Sequence, residues 1–577
     1  MKIEFCGAAE GVTGSCHLIS TKKHKVLLDC GQFQGGKAED AMNFQEFPFN
    51  PAEIDCVILS HSHIDHCGRI PLLMNRGFKG PVYCTDATAD LLEVMLKDSG
   101  YIHEKEAQWK NEKAERAGRS FRVEPLYTFN DAIAALKLVK PYLYDQLFEI
   151  NDEMKVVFNE AGHILGSAIV ELWVDEGEPK GEKISKVVFS GDLGMVNRPI
   201  LRDPKKIKKA DFLIMEATYG NRTHPPNSAS VDELMEIVLK TIKRGGNAII
   251  PSFAVGRTQE LIFEFNRFYE QHPELSGTLD DIMVYVDSPM ATNATEVFRK
   301  NAQVFDEETR DYILKGDHPL DFKNLVFTRS TEESRFLNFD KTPKVIISAS
   351  GMCEAGRIRH HLKYNLWNPK SSIIFVGYQA EGTLGRLIVD GQKEFTLFGD
   401  EIYVNAEIYD LEGFSGHADK NGLMDWLSGF QKEPKHIFLV HGESQAKKDF
   451  AAEAKEKLGF SPIVIEGFSG YELETDEFST MQQVLEDIVD QDGINEFRRR
   501  VNTVHNSLNA IFANANLVLG KGVDEKKLVE MNNILLSLEK GSLNLGAVVS
   551  RESDNIMDFP EISQVKEDIR DNEKGRP

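Results

Sequence analysis

The chain has 577 residues, too many for one simple core, and its 41% apolar and 27% charged residues are ordinary for a globular protein, so we expect two to four domains. The formal net charge of −24 disfavours nucleic-acid binding without excluding it, because bound metal ions and clustered arginines can still make one cleft positive. The sequence shows neither a signal-peptide pattern nor an apolar run of about eighteen residues, which argues against a membrane span and predicts a cytoplasmic protein. The seven cysteines form no CxxC pair, which predicts reduced thiols.

The densest functional signal lies at 58–68, where an apolar strand, Cys56–Leu59, is predicted to run into a histidine-rich turn. His61 and His63 can converge on one metal ion, while Asp65 and His66 can face a second one. Nitrogen and oxygen ligands of this kind suit zinc, and a catalytic zinc site leaves a position open for water. The alternative is a solvated histidine-rich loop.

Further ligand-type side chains occupy small-residue turns, most of them directly after an apolar strand. These residues are Asp29, His163, Asp192, Glu216, His417 and His441. Singly, each fits a structural histidine or a turn residue, and Asp29 fits equally well a carboxylate that holds a metal-bound histidine. Open α/β proteins gather functional groups at strand ends, so the repetition favours one shared site.

From Lys208 onward strands and helices alternate, which predicts a mostly parallel sheet covered by helices. Small residues between strand and helix let backbone N–H groups approach an anion, and arginines at these loops are candidate phosphate contacts. The candidate substrate-binding residues are Ser252, Arg257, Ser350, Gly351, Met352, Arg357, Arg386 and Ser415. Tight turns and surface arginines are the alternative interpretation.

Beyond about residue 470, Phe497, Val501 and Val504 begin an apolar repeat of helical spacing, and a second repeat follows at 528–538. These repeats predict a helical hairpin. The hairpin would either bind a second copy of the chain or another protein, or form a plain helical cap. The charged stretch from Arg551 is predicted to fray.

Together these motifs resemble the metallo-β-lactamase superfamily, and several are similar to those of its β-CASP branch. The superfamily motifs are HSHIDH at 61–66, GH at 162–163, GD at 191–192 and HGE at 441–443. The branch motifs are EATYG at 216–220, FAVGRT at 253–258, DSPMA at 287–291, ASGM at 349–352 and SGHAD at 415–419. The branch includes RNase J-type enzymes and the endonuclease of the eukaryotic mRNA cleavage and polyadenylation machinery.

The resemblance covers roughly residues 1–465 and implies an α/β fold. An αβ/βα sandwich would be formed by residues 1–207 and 399–468. A β-CASP domain would be inserted at 208–398. The tail is not covered by the resemblance, and its apolar repeats predict an acidic helical extension at 469–577.

The resemblance also implies a role for each clustered residue. His61, His63 and His163 would hold one zinc ion, Asp65, His66 and His441 a second, and Asp192 would bridge them. Glu216 and His417 would form the acid–base pair, so that Asp65, Asp192, Glu216 and His417 are the predicted catalytic residues. Asp29 would support a ligating histidine, and a histidine at 441 is typical of the RNA-processing members.

The resemblance implies a ribonuclease with two zinc ions per chain that acts in RNA processing or decay. It would cleave RNA as an endonuclease, as a 5′-exonuclease or in both ways. A hydroxide held by both ions would attack the phosphorus, and His417, held by Glu216, would protonate the departing 3′ oxygen. The products would carry 5′-phosphate and 3′-hydroxyl ends. The alternatives are a DNA nuclease of the same branch, a small-ester or lactone hydrolase on this scaffold, and a non-catalytic RNA-binding subunit.

Overall fold

The computed structural model of the chain describes residues 1–473 apart from 121, 178, 179, 182, 226 and 381, and beyond them 499, 501–506, 508, 511 and 512. The chain divides into two units, Met1–Asp490 and Gln491–Pro577. No helix in the described part is long and apolar enough to span a membrane. Residues 501–506 are helical. Residues 469–473 of the predicted extension are also described, as are 499, 508, 511 and 512, which are helical. The second apolar repeat and the charged end lie outside the described residues, so the homodimer and partner interpretations stay predictions.

The first part of the chain alternates short strands with helices. In chain order these elements are β1 (Lys2–Phe5), β2 (His17–Ser20), β3 (Lys25–Leu28), α1 (Lys37–Met42), β4 (Cys56–Ile58), α2 (Ile64–Cys67), α3 (Ile70–Asn75), β5 (Val82–Thr85), α4 (Asp86–Arg116), α5 (Phe129–Leu136), β6 (Val139–Tyr142), β7 (Phe148–Glu149), β8 (Met154–Glu160), β9 (Ala168–Asp175) and β10 (Ile184–Phe189).

The middle of the chain consists mainly of strand–helix repeats. Its elements are β11 (Phe212–Glu216), α6 (Asn227–Lys243), β12 (Ala248–Pro251), α7 (Arg257–Gln271), α8 (Ser276–Leu279), β13 (Val284–Val286), α9 (Pro289–Lys300), α10 (Glu307–Leu314), β14 (Leu325–Phe327), α11 (Thr331–Phe339), β15 (Val345–Ser348), α12 (Ile358–Asn365), β16 (Ser372–Phe375), α13 (Leu384–Val389), β17 (Glu394–Leu397), β18 (Asp400–Tyr403) and β19 (Glu407–Asp410). The last described elements are α14 (Lys420–Leu427), β20 (His436–Val440), α15 (Ser444–Leu458), β21 (Ile463–Val464) and β22 (Ser469–Glu472).

Two sheets face each other to form the sandwich, in the orders β22-β1-β2-β3-β4-β5-β6 and β21-β20-β11-β10-β9-β8-β7. Their facing sides bury one apolar core, in which Phe5 and Ile58 of the first sheet meet Phe158, Ile214 and Phe438 of the second. Helices α3, α4 and α5 cover the outer face of the first sheet, and α14 and α15 cover that of the second. The predicted αβ/βα sandwich is therefore confirmed.

The inserted domain is built on a sheet of order β14-β13-β15-β12-β16-β19, in which every neighbouring pair is parallel. Strands β12, β15 and β16 are buried at every residue, because helices cover both faces of the sheet. The prediction of a mostly parallel sheet is confirmed. Apolar packing of Ile164 and Leu165 against Ile262 and Phe298 joins this domain to the sandwich.

The sheet pairing places the domain boundaries differently from the prediction. Strand β11 pairs with β10 and β20 in the sandwich, whereas a boundary at 207/208 assigns it to the inserted domain. Strand β19 pairs with β16 in the parallel sheet, beyond the predicted return at 399, and β22 pairs with β1, beyond 468. A strand's own sequence does not specify which neighbour accepts its backbone hydrogen bonds, so these boundaries depend on the tertiary structure.

Candidate metal centre and active site

Strand ends from both sheets of the sandwich bring the predicted ligands together. Strand β4 of the first sheet ends just before His61. In the second sheet, β8, β10 and β20 end just before His163, Asp192 and His441. Each of these four side chains is at most 5% exposed. The structure thus gathers at one place side chains from distant parts of the chain.

The first group of donor atoms comprises His61, His63, His163 and Asp192. His63 Nδ1 lies 3.1 Å from His61 Nε2 and 3.1 Å from His163 Nε2. Asp192 Oδ2 lies 3.5 Å from His61 Nε2 and 3.6 Å from His163 Nε2. One ligand atom from each residue lies within 4.8 Å of the others, as ligands around a single ion must.

The second group comprises Asp65, His66 and His441, adjacent to the first. His441 Nε2 lies 3.2 Å from His66 Nε2 and 3.7 Å from Asp65 Oδ2. Asp192 Oδ2, which already faces the first group, lies 3.2 Å from His66 Nε2. One carboxylate oxygen therefore stands between the two groups.

The protonation of the first group suits a bound cation. Burial lowers the pKa of His61 and His163 well below its usual value and lowers that of His63 to about 4. The three rings are therefore neutral near pH 7, with lone pairs available, which is the form that binds zinc.

The carboxylates of the site favour a positive charge between them. Burial opposes protonation of His66, but Asp192, Asp29 and Asp65 outweigh it and raise the pKa of that ring well above its usual value. Asp192 Oδ1 is buried and has no hydrogen-bond partner among the described residues. An unsatisfied carboxylate oxygen beside facing imidazole nitrogens fits a divalent metal such as zinc.

Hydrogen bonds on the far side of the rings fix their orientation. Asp29 Oδ2 lies 2.7 Å from His66 Nδ1 and also accepts hydrogen bonds from the hydroxyl groups of Ser15 and Ser60, each at 3.0 Å. Ser60 Oγ in turn lies 3.0 Å from His61 Nδ1. Such contacts set the tautomer and direction of a ligating ring.

Two further supports were missed by sequence reasoning. Thr218 Oγ1 lies 3.1 Å from His441 Nδ1, and the carbonyl oxygen of Gly416 lies 3.2 Å from His163 Nδ1. Thr218 sits in the EATYG motif and Gly416 directly precedes His417, so their positions within the motifs are the only sequence signal.

Glu216 and His417 lie together beside the first group. Glu216 is 1% exposed, and its Oε1 accepts a hydrogen bond from the Leu193 backbone and lies 3.4 Å from His417 Nδ1. The His417 ring is 21% exposed and 4.4 Å from the His163 ring between centroids. Burial opposes protonation of His417, but Glu216 and then Asp192 raise its pKa to about 9. The ring therefore carries a proton at neutral pH.

Two of the substrate-binding candidates are connected to the segment that carries His417, since Ser415 precedes that residue by two positions and Arg257 packs on Phe414. Arg257 begins α7, pairs with Glu260 and lies 5.6 Å above the Phe414 ring. Ser415 is 8% exposed, and its hydroxyl group donates a hydrogen bond of 3.4 Å to the carbonyl oxygen of His417.

Most of the remaining substrate-binding candidates are buried or engaged in contacts within the protein. Ser252 is buried, and its hydroxyl group bonds to Thr258 at 3.0 Å. Ser350, Gly351 and Met352 follow β15 at the carboxyl edge of the parallel sheet. The two other arginines are held in ion pairs, Arg357 with buried Asp287 at 2.7 Å and Arg386 with Asp390 at 2.9 Å.

Comparison with known families agrees with this architecture. The metallo-β-lactamase superfamily model matches residues 9–138, the β-CASP domain model matches 258–388, and a model described as a Zn-dependent metallo-hydrolase RNA specificity domain matches 401–465.

Several curated proteins are similar over most of the chain. Ribonuclease TTHA0252 of Thermus thermophilus is 37% identical over 445 residues, which are 77% of this chain and 94% of the relative. Transcription termination factor FttA of Methanocaldococcus jannaschii is 34% identical over 462 residues, covering 78% of this chain and 68% of the relative. The FttA protein of Methanococcus maripaludis is 33% identical over 483 residues, which are 80% of this chain and 71% of the relative. From the fold, the gathered donor groups and these similarities, the chain belongs to the β-CASP family of the metallo-β-lactamase superfamily.

Proposed function

We propose that the protein is a ribonuclease that uses two zinc ions per chain to hydrolyse RNA phosphodiester bonds, leaving 5′-phosphate and 3′-hydroxyl ends. The observation that carries the proposal is the pair of donor groups with Asp192 Oδ2 facing both of them and the Glu216–His417 pair beside them. Support for RNA comes from the similarity to a ribonuclease over 94% of its length and from the match to an RNA specificity domain.

Seven residues of the chain would bind the two zinc ions. His61, His63 and His163 would hold one zinc ion, Asp65, His66 and His441 the other, and Asp192 would contact both. Zinc bound here would supply Lewis acidity, which lowers the pKa of a water molecule and offsets negative charge on the phosphoryl group.

His417 would act as the general acid. It is partly exposed, and the Glu216 carboxylate 3.4 Å from its Nδ1 raises its pKa and so favours the protonated ring. Glu216 is itself held by the backbone N–H groups of Leu193 and Thr218. A fixed acid of this kind can protonate the departing 3′ oxygen as its bond to phosphorus breaks.

Positive charge for the RNA backbone would come from a buried cluster at the start of α7. Arg198 and Arg257 both pair with Glu260, and all three side chains are at most 9% exposed. Two guanidinium groups against one carboxylate leave a net positive charge, which suits a phosphate in a chain whose net charge is −24. The loop at 350–352, together with Arg357 and Arg386, would line the rest of the RNA path, whereas the buried Ser252 would not contact RNA directly.

We also propose that the protein works in a reducing compartment, the cytoplasm. All seven cysteines are free thiols and buried.

The direct test uses RNA labelled at either the 5′ or the 3′ end and digested by the zinc-loaded full-length protein. We expect fragments with 5′-phosphate and 3′-hydroxyl ends, loss of cleavage with a chelator, and recovery on adding zinc. Products with 2′,3′-cyclic phosphate ends would contradict the proposed use of water, and cleavage that survives chelation would contradict the zinc requirement.

Parallel digests separate the alternatives. Single-stranded DNA cut as fast as RNA would indicate a general nuclease, and hydrolysis of small esters or lactones without RNA cleavage would indicate a different hydrolase. Protein without zinc and without turnover would fit an RNA-binding subunit.

A further inference from the structure

A row of aromatic and cationic side chains leads from His417 toward the inserted domain. The Tyr219 ring lies 5.9 Å from the His417 ring at an interplanar angle of 77°. The Tyr378 ring lies 6.4 Å from the Tyr219 ring at 81°, and the Arg222 guanidinium lies 5.5 Å above the Tyr378 ring. The row connects the two domains beside the general acid proposed above.

The sandwich side of this row is held in place. The Tyr219 ring packs edge-on against the His224 ring, with centroids 4.6 Å apart at an interplanar angle of 86°. The Arg222 carbonyl oxygen accepts a hydrogen bond of 2.8 Å from the Lys420 backbone, and the Tyr219 backbone forms a bridge with that of Asp419. The backbone that carries Tyr219 and Arg222 is therefore fixed before any ligand arrives, which lowers the entropic cost of binding one.

The other side of the row belongs to the carboxyl edge of the parallel sheet. Tyr378 follows β16, and among the described residues no atom apart from its chain neighbours lies within 4 Å of where a side chain on Gly377 would begin. Strand β12 pairs with β16 and is followed by Phe253, which is 44% exposed. The edge of the inserted domain thus presents aromatic rings after two neighbouring strands.

These rings are not core residues. Tyr219 and Tyr378 are half-buried and Arg222 is exposed, whereas core aromatic side chains of this protein such as Phe158 and Phe438 are fully buried. A half-buried tyrosine with an exposed guanidinium over its ring offers two planar groups, and a nucleobase can stack on either of them. Stacking of this kind accepts any base but requires that the base be unpaired.

We infer that Tyr378, with Arg222 and Tyr219, forms a stacking subsite for an unpaired nucleobase next to the scissile phosphate. This inference rests on the proposed ribonuclease function and adds a source of substrate selectivity to it. The subsite makes the enzyme select single-stranded RNA without reading its sequence, and it acts on substrate binding rather than on the bond-breaking step.

The test compares Tyr378→Leu with Tyr378→Phe in the zinc-loaded full-length protein, using single-stranded RNA of defined sequence. Tyr378→Leu is expected to raise KM about tenfold with kcat within about twofold, because base stacking on one aromatic ring contributes on that scale. Tyr378→Phe keeps the ring and is expected to stay near wild type. Tyr403→Leu, at a 52% exposed tyrosine on the separate β17–β18 hairpin, is the matched control.

A second measurement links the effect to a base. A series of RNA oligonucleotides, each with one abasic position, is cleaved by the wild-type protein and by Tyr378→Leu. Binding of the same oligonucleotides is measured by fluorescence anisotropy with the corresponding two proteins that also carry His417→Ala. In the protein with Tyr378 intact, one abasic position next to the cleaved bond is expected to weaken binding about tenfold. In Tyr378→Leu, the RNA with that abasic position is expected to bind as tightly as the RNA without it.

The outcomes distinguish the two proposals. Unchanged KM in Tyr378→Leu, or an equal abasic penalty in both proteins, overturns the stacking subsite while the ribonuclease stands. Absence of RNA cleavage by zinc-loaded wild-type protein removes the proposed function and the subsite with it. Equal melting temperature and zinc content of the variants exclude misfolding as the cause of a raised KM.

Discussion

At the scale of single residues, Asp29 shows how the surroundings of a site prepare its ligands. Its backbone adopts a φ of +60°, and its carboxylate binds His66 Nδ1 while accepting hydrogen bonds from Ser15 and from both the N–H and hydroxyl groups of Ser60. Left-handed backbone is uncommon outside glycine, although aspartate and asparagine tolerate it better than most residues. The turn is thus compatible with Asp29, and the carboxylate fixes His66.

Asp29→Asn is expected to weaken zinc binding about 10- to 100-fold. Asparagine keeps the left-handed turn but removes the negative charge that holds the His66 ring. Competition with a chromophoric chelator measures the affinity, and Asp425→Asn, at a carboxylate 60% exposed, serves as the control. Wild-type zinc affinity in a correctly folded Asp29→Asn protein would show that this carboxylate does not support the metal.

His417→Ala is expected to lower kcat by a factor of about 10² to 10⁴, the usual contribution of a general acid, while the bound zinc is retained. The zinc should stay because His417 belongs to none of the groups of metal-facing donor atoms found among the described residues. Single-turnover cleavage and elemental analysis measure the two quantities, with the exposed His360→Ala as control. Full activity in His417→Ala would reject the acid role.

At the scale of secondary-structure elements, helix α7 carries more buried charge than an ordinary amphipathic helix. Glu264 is 1% exposed, and Arg267 Nη2 approaches its Oε2 to 2.6 Å without the alignment of a hydrogen bond. Burial raises the pKa of Glu264 to about 7 and nearby Glu260 adds to the rise, while Arg267 opposes it. Such a carboxylate destabilises the fold when it ionises.

Glu264→Gln is therefore expected to become stabilising relative to wild type as the pH rises from about 4.5 to 7. The unfolded chain releases this proton near 4.5 and the folded protein only near 7. Between these values the folded state binds more protons, so wild-type stability falls with rising pH, by about 1–3 kcal/mol in total. Melting temperatures of both proteins between pH 4.5 and 8 measure the effect, with Glu296→Gln, 56% exposed, as control. A constant difference across that range would contradict the assignment.

At the scale of the whole molecule, the sandwich is closed by a strand from far along the chain. Strand β22 pairs with β1, and its Tyr471 ring lies 4.9 Å from Phe438 and 6.0 Å from Phe5, so that it contacts both sheets. Leu473 after it is 5% exposed. The first sheet is therefore incomplete without residues beyond the predicted boundary at 468.

A chain that ends at Asp490 is expected to keep the zinc content and main melting transition of the full protein, because it retains the whole of the first unit. A chain that ends at Phe468 is expected to melt several degrees lower, because it loses the β22 ladder and the burial of Tyr471 and Leu473. Calorimetry and elemental analysis of both truncations test this. Equal melting temperatures would show that β22 adds nothing to the stability of the sandwich.

Local patterns in the sequence were enough to predict the elements and the chemistry of their ends. Alternating strands and helices predicted the parallel sheet, and ligand-type residues at strand ends, such as His163 and His441, were identified because their residue type and turn position are local properties. The predicted boundaries at 208, 399 and 468 differed from the sheet pairing, because β11, β19 and β22 look alike as strands and differ only in their partners.

Tertiary structure alone decided which of these side chains meet. It placed Asp192 between two groups of histidines, held Arg257 and Arg198 on one carboxylate, buried Ser252, paired Arg386 with Asp390 and set Tyr378 against Tyr219. The physical reason is that periodicity and residue type reflect neighbours within a few positions. Contacts across hundreds of residues depend instead on which strands pair and which faces pack, and these follow from the free energy of the whole chain.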